Sequence, residues 1–197
     1  GGAVYGLSAV LGALFQRERQ GVGQHLDLSL TDCIAHWMNA RRGVFHANGL
    51  ETLEAQRAVA LRRPAYGVYP CADGALTLAA LEGHFWKALA ALLELTEFQG
   101  PEFDAVPART TRAEEINAAI AARLAPMARD EAVALLLAHD VPAAPVLTAA
   151  EADASAHYAA RGLAVETCAG RLSPFPVRMA GMEAAPREAP ELGERNG

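Results

Sequence analysis

The sequence predicts a mixed α+β and α/β protein, because three kinds of segment follow one another along its 197 residues. Residues 4–32 have the pattern of a helix, a glycine turn, a strand and the start of a second helix. Residues 31–63 are mostly helical, and a hairpin followed by further helices comes after Pro64. This order predicts a packed helix-strand-helix junction, a long helical linker, and a small domain with an antiparallel sheet and helices.

The first segment is a junction of helix and strand. The apolar helix predicted at 4–19 ends in basic residues, which suit the negative end of a helix dipole. Gly21 and Gly23 permit a helix stop and a tight turn, because glycine adopts a positive φ at little cost. Residues 24–30 alternate as a short strand, and Ser29 or Thr31 can cap the next helix.

A hairpin and several helices are predicted beyond the linker, which Pro64 ends. Strands at 66–69 and 76–81 flank Ala72-Asp73-Gly74, and an Asp-Gly pair between two apolar runs favours a turn. Apolar residues at helical spacing predict helices, and two extended runs meet near Gly170. The predicted helices are 84–95, 112–126, 129–138 and 149–160, and the extended runs are 163–168 and 172–180.

The composition limits the classes of partner. A net charge of -6 argues against general nucleic-acid binding, because no strong excess of cations can meet phosphate. No apolar run approaches the roughly 18 residues of a membrane span. Cys33, Cys71 and Cys168 are odd in number and widely spaced, which favours reduced thiols in a cytoplasmic protein. No spacing of His, Cys and Asp suggests a metal site.

Glu82 is the carboxylate of greatest chemical interest. It lies where an apolar strand gives way to a helix, and Gly83 and His84 follow it. A strand-to-helix turn directs side chains and free amides towards one place, and such turns commonly hold ligands. Two structural interpretations remain open: Glu82 as a first-turn acid that stabilises its helix dipole, and His84 as a packing residue beside Phe85 and Trp86.

Several runs of residues resemble motifs of the family III CoA transferases, which include carnitine CoA transferases and α-methylacyl-CoA racemases. Residues 17–24 (RERQGVGQ) and 26–32 (LDLSLTD) are similar to the family patterns R-x-R/K-x-G-x-G-Q and V-D-x-S-hydrophobic-x-D. Residues 79–86 (AALEGHFW) resemble the A-L/I-E-x-x-F-W/Y segment of racemase-like members. Residues 190–197 (PELGERNG) resemble the family's P-x-L-G-E-H-T, with Arg195 in place of the histidine. The resemblance covers essentially the whole chain.

The resemblance implies a division of the chain. Residues 1–30 would be a piece of a large Rossmann-like α/β domain and 31–65 a helical linker arm. Residues 66–165 would form the small α+β domain, and 166–197 a segment that returns towards the large domain. The chain would be a piece of a longer polypeptide. Family members form interlocked homodimers, and the apolar residues of the arm predict contact with a second copy.

The resemblance also implies a function. The protein would transfer CoA between carboxylic acids through an aspartyl intermediate, with the aspartate just before Gly1 and so outside this chain. Glu82 would be catalytic, Gly83 and His84 would contact the acyl-CoA, and the CoA thioester would be a substrate, with no separate cofactor. Two alternatives stay open: α-proton exchange as in α-methylacyl-CoA racemases, and a non-catalytic α+β interaction module. The isolated fragment would be inactive.

Overall fold

The computed structural model describes residues 1–61, 63–167 and 170–181. It divides the chain between Arg63 and Pro64 into two units. The mixed helix and sheet class that the sequence predicts is confirmed, with helices in the first unit and helices and strands in the second. The tail motif at 190–197, Cys168 and much of the predicted return segment lie outside the described residues.

The first unit consists of helices. They are α1 (Gly2–Gln20), α2 (Leu30–Trp37), α3 (Asn39–Ala47) and α4 (Leu53–Leu61). Helix α1 ends at Gly21, whose φ of 71° lets its N–H donate to the Arg17 carbonyl. Ser29 caps α2 by accepting the backbone N–H of Asp32 at 3.2 Å. The predicted helix at 4–19 and the predicted cap are confirmed.

The strand predicted at 24–30 is wrong as a paired element of this chain. Residues 22–29 lie between α1 and α2 and pair with no strand among the residues that the structure describes. An alternating sequence becomes a strand only where a neighbour accepts and donates its backbone hydrogen bonds. No such neighbour is present in the described part of the first unit, which is helical.

The helices predicted over 31–63 are confirmed as α2, α3 and α4, with two interruptions. That they link two domains stays a prediction. The first lies at Met38, between α2 and α3. The second lies at 48–52, where Gly49 adopts a φ of 62°. A positive φ favours glycine, so this break follows directly from the residue type.

The first unit leaves much apolar surface exposed. Helix α1 buries none of its residues, and Cys33 is the one buried residue among those described up to Arg63. Trp37 is 62% exposed and Phe15 is 63% exposed. Other exposed apolar side chains in this unit are Val4, Leu7, Val10, Leu11, Leu14, Leu30 and Ile34. Apolar patches of this extent mark surfaces that contact other protein.

The second unit is built on a small antiparallel sheet. It has the order β1 (Tyr66–Cys71), β2 (Gly74–Ala79), β3 (Ala143–Pro145). Cys71 pairs with Gly74, so Ala72 and Asp73 form the tip of the predicted hairpin. Strand β3 follows the proline-framed loop and pairs antiparallel with β2, with Leu76 opposite Pro145.

Helices accompany this sheet in the second unit. They are α5 (Gly83–Leu92), α6 (Val106–Thr111), α7 (Ala113–Leu124), α8 (Arg129–Ala138), α9 (Ala149–Ala154) and α10 (Ala156–Arg161). Two 3₁₀ turns, Thr96–Phe98 and Pro101–Asp104, lie between α5 and α6. A short hairpin of β4 (Val165–Thr167) and β5 (Gly170–Leu172) follows. Of the extended run predicted at 172–180, Leu172 lies in β5 and Met179 forms an isolated bridge. Residues 173–178 lie in no strand, because the prolines there lack the N–H that a ladder needs.

The core of the second unit holds the end of β2 against the start of α5. Its fully buried large side chains include Leu76, Trp86, Leu89, Ile116, Ile120, Leu124, Leu136 and Val141. Burying one such side chain contributes about 1.5–3 kcal/mol. Because the core includes both Leu78 on β2 and Trp86 on α5, the turn between them is attached to packed elements at both ends.

Candidate functional site

The turn from β2 into α5 carries the residues that the sequence singled out. Beyond the last residue of β2, the N–H of buried Ala80 donates to the Ala65 carbonyl at 2.8 Å. Glu82 is the N-cap of α5, with extended backbone angles of φ −67° and ψ 146°. The N–H of Trp86 donates to the Glu82 carbonyl at 2.9 Å and closes the first helical turn. The predicted strand-to-helix junction therefore exists with well-defined backbone geometry.

The side chain of Glu82 has no partner among the described residues. It is exposed and it does not accept a capping hydrogen bond from the helix that it precedes. Any stabilisation of α5 by Glu82 is therefore limited to the charge–dipole term. The carboxylate is accessible to a molecule that approaches the turn.

Gly83 and His84 complete the turn in different ways. A Cβ on Gly83 would lie 3.3 Å from the Asp104 carbonyl oxygen, so a glycine lets α5 begin close to the 3₁₀ turn. His84 is exposed, and its ring centroid lies 3.8 Å from that of Phe85. His84 is thus not a buried packing residue, and its imidazole is accessible on the same turn as the Glu82 carboxylate.

Arg109, on α6, is a residue of this site that the sequence did not point to. Its side chain is fully buried, at 0% exposure. One guanidinium nitrogen, Nη1, donates to the carbonyls of Phe103 at 2.8 Å and Asp104 at 3.1 Å. The other, Nη2, donates to the carbonyl of Leu81. The guanidinium also lies over the Trp86 ring, 5.1 Å from its centroid.

The charge of Arg109 is not balanced by a direct ion pair within the described residues. The nearby Asp104 carboxylate instead contacts Lys87, with Nζ 2.8 Å from Oδ2. Burial lowers the pKa of Arg109 and Asp104 opposes that shift, but a guanidinium stays charged at neutral pH. Its Nε is buried without a hydrogen-bond partner in the part of the chain described. A cation therefore lies behind the turn that carries Glu82.

A cavity of about 340 Å³ opens beside α5. Lys87, Asp104 and Gln99 are its polar lining residues, and Trp86 is the aromatic one. Gln99 is held there by donating to the Ala90 carbonyl at 2.8 Å. This volume is at the small end of ligand pockets, so the cavity suits a small ligand better than a nucleotide.

A second polar cluster surrounds Arg129 at the start of α8. Its guanidinium contacts Asp130 at 2.9 Å, Glu151 at 2.9 Å and the Val146 carbonyl at 3.1 Å. Its backbone N–H donates to Asp73 at the hairpin tip at 2.7 Å. These contacts join the hairpin, α8 and α9, and the cluster is a structural anchor.

The pKa of Glu151 reflects this anchor. Hydrogen bonds from the backbone and hydroxyl of Thr148, together with Arg129, lower the pKa of Glu151 to about 2. Thr148 and Glu151 also form a capping box at the start of α9. Within the described residues, no group of three or more His, Cys, Asp and Glu side chains could hold a metal ion. The helices described there lack the combination of length and apolarity that crossing a membrane requires.

Comparison with known proteins gives consistent results. The family model described as CoA-transferase family III matches residues 1–196. The chain is 32% identical over 163 residues to a probable CoA-transferase of Mycobacterium tuberculosis, Rv1866, covering 81% of this chain. It is 25% identical over 201 residues to the acetyl-CoA:oxalate CoA-transferase of Acetobacter aceti, covering 98% of this chain. It spans only 21% and 50%, respectively, of those two relatives' own lengths.

Solved structures resemble the fold. A CAIB/BAIF family protein from Brucella suis superposes with a TM-score of 0.78 at 25% identity, covering 99% of this chain and 52% of its own. Rv3272 of Mycobacterium tuberculosis, at 24% identity, gives a TM-score of 0.74 over 96% of this chain and 49% of its own. The Rv3272 likeness concerns the fold alone.

Proposed function

This chain belongs to CoA-transferase family III, as its motifs predicted, and on that premise we propose that it forms part of an enzyme that transfers CoA between carboxylic acids. The proposed donor is an acyl-CoA, the proposed acceptor is a carboxylate, and no separate cofactor takes part. The single observation that supports a catalytic role for this part of the protein is the exposed, unpartnered carboxylate of Glu82 on a turn with fixed backbone geometry.

The proposed chemistry uses an aspartate that precedes Gly1. Its carboxylate attacks the thioester carbonyl, the C–S bond breaks, and a mixed anhydride and the CoA thiolate result. The thiolate then attacks the aspartyl carbonyl, which releases the first carboxylate and leaves an aspartyl-CoA thioester. The acceptor carboxylate repeats these two exchanges in reverse and leaves as the new acyl-CoA. Gly83 and His84 would contact the acyl-CoA, and Glu82 would lie beside the thioester. None of these exchanges moves a proton, so an acid–base role for Glu82 belongs to the α-proton exchange considered next.

Racemase-like exchange of an α-proton is the second candidate. It is favoured by the run Leu81-Glu82 and by the exposure of the Glu82 side chain, which is available as an acid or base. A thioester acidifies its α-proton, and a carboxylate held next to that carbon is a suitable catalyst for its removal. A non-catalytic interaction module is the third candidate, and it would need neither Glu82 nor an acyl-CoA.

We further propose that the full-length protein is a cytoplasmic homodimer and that this fragment is inactive alone. Exposed apolar residues of the first unit, such as Trp37 and Ile34, provide surface that a second copy can cover. Cys33 and Cys71 are free thiols, as in a reducing compartment. Sedimentation velocity on the full-length protein should give a dimer at micromolar concentration, and a monomer throughout would contradict the proposal.

The deciding experiment compares two reactions of the full-length protein. One assay follows CoA transfer from acetyl-CoA to a panel of carboxylates that includes oxalate. The other follows deuterium incorporation at the α-carbon of a 2-methylacyl-CoA in D₂O. Transfer without exchange supports the CoA transferase, and exchange without transfer supports the racemase-like alternative. Neither reaction, in a protein that is folded and dimeric, would favour the interaction module.

A further inference from the structure

The buried guanidinium of Arg109 joins two parts of the second unit, the turn into α5 and the 3₁₀ segment that precedes α6. On one side it donates to the Leu81 carbonyl, and on the other to the carbonyls of Phe103 and Asp104. We infer that Arg109 is a positioning residue for catalysis, which sets the orientation of the Leu81–Glu82 peptide and thereby the place of the Glu82 carboxylate. This inference rests on the proposed function of Glu82.

The geometry of one peptide unit carries the argument. The Leu81 carbonyl and the Glu82 N–H belong to the same planar trans unit, so they point in opposite directions. By binding the carbonyl, Arg109 also determines where the Glu82 N–H points and from where its side chain starts. The N–H groups of Glu82, Gly83 and His84 make no hydrogen bond within the described residues and remain available at the start of α5.

Arg109 also holds the surface that faces the turn. The Asp104 carbonyl that accepts from Nη1 is the atom that a Cβ on Gly83 would approach to 3.3 Å. The same guanidinium therefore binds the turn and the 3₁₀ segment against which the turn packs. A displacement of Arg109 would loosen both sides of this contact together.

An arginine suits this task and a lysine does not. The planar guanidinium has donors on separate edges and can bind carbonyls on two sides at once. A lysine ammonium presents its donors from a single nitrogen and cannot span the same two sides. Burying a charge without a carboxylate partner is costly, and an apolar side chain could fill the same space more cheaply. Departures of this kind from ordinary core composition are expected where function requires them.

The test uses four variants of the full-length protein: R109K, E82Q, the double variant, and R129K as the matched control. Arg129 likewise binds a backbone carbonyl and stabilises this unit, but its contacts are with Asp130, Val146 and Glu151. Melting temperatures are measured for all four. Turnover is measured with acetyl-CoA and a carboxylate and, in parallel, by α-carbon deuteration.

A second readout does not depend on activity. Amide hydrogen exchange is followed by mass spectrometry over peptides that cover 78–92, where the N–H groups of Ala80 and Trp86 report on the turn. R109K should speed exchange in these peptides, whereas R129K should speed exchange around the start of α8. If R109K does not fold, R109Q, whose amide reaches only one set of carbonyls, takes its place.

The expected result is a fall in turnover of about 10–100-fold for R109K, the usual effect of misplacing a catalytic group by about 1 Å. R129K should lose less than about threefold in turnover, at a melting temperature similar to that of R109K. In the E82Q background R109K should add little, because two residues that act as a unit are strongly non-additive. Independent, multiplicative losses, or unchanged turnover in R109K, would overturn the inference.

Failure of the proposed function gives a different pattern. If the wild type shows neither reaction, or if E82Q is fully active, the assignment of Glu82 is wrong. Hydrogen exchange then decides whether Arg109 orients the turn at all. Equal rates of amide hydrogen exchange over 78–92 in R109K and R129K would show that Arg109 does not orient this segment.

Discussion

Replacing Glu82 by glutamine in the full-length protein should separate catalysis from stability. The change keeps the size of the side chain and removes its charge. Because Glu82 is exposed and makes no side-chain hydrogen bond within the described residues, no contact of the folded second unit is lost. The remaining loss is the interaction of one carboxylate with the start of α5.

Both magnitudes follow from this environment. A charge at the first turn of a helix contributes about 0.3–1 kcal/mol, which corresponds to a shift in Tm of at most about 4 °C for a domain of this size. A positioned acid or base contributes about 10²–10⁴-fold in rate. E82Q should therefore lower turnover by a large factor, more strongly in α-proton exchange than in CoA transfer, with nearly unchanged stability.

Glu131 provides a matched control. It is also an exposed acid in the first turn of a helix, α8. E131Q should shift Tm by the same few degrees as E82Q while leaving turnover at the wild-type level. The melting temperatures of both variants are measured by calorimetry. Their turnover is then compared with that of the wild type in the two assays. Equal turnover in E82Q and E131Q would refute a chemical role for Glu82 and leave it as a first-turn acid.

Three further outcomes are expected. Glu94, which is exposed, follows α5 in a left-handed conformation with a φ of 52°, and this conformation favours glycine. E94G should therefore raise the free energy of unfolding by about 1 kcal/mol, measured by urea denaturation. E94A should not raise it. The pKa of Glu151 is lowered to about 2, so the stability that its ionised form contributes is present above the ordinary carboxyl pKa and is lost as the pH falls through 2. The Tm difference between wild type and E151Q should therefore shrink over that range. A constant difference would contradict this expectation. A methyl group on Gly83 would crowd the Asp104 carbonyl at 3.3 Å, so G83A should lower turnover without the stability gain that Gly→Ala usually gives at a helical position; unchanged kinetics would show that the neighbouring loop simply yields.

Local pattern predicted most of the fold in the second unit. The Asp-Gly pair located the hairpin, and apolar spacing located α5, α7 and α8, because these elements depend on contacts close in sequence or on one buried face. The strand at 24–30 failed for the opposite reason. A strand depends on a hydrogen-bonded neighbour that is often remote in sequence, and a pattern of about seven residues carries no information about that neighbour.

The site divides in the same way. Glu82, Gly83 and His84 were found because a strand-to-helix junction is a local feature. Arg109 was not, because its burial depends on Leu81, which lies 28 residues earlier. In the sequence it is one arginine in a proline-broken polar stretch, where a solvated side chain is the ordinary expectation. Only the meeting of β2, α5 and the 3₁₀ turn makes it a buried cation.

The contrast between backbone and side chain at Glu82 favours a chemical role over a capping one. The side chain of a capping residue accepts hydrogen bonds from the backbone amides of its own helix, and the Glu82 side chain makes no such bond. Its backbone is held on each side: Arg109 donates to the Leu81 carbonyl, the N–H of Trp86 donates to the Glu82 carbonyl, and the N–H of Ala80 donates to the Ala65 carbonyl. These contacts fix where the Glu82 side chain begins and leave its carboxylate accessible to a molecule that approaches the turn.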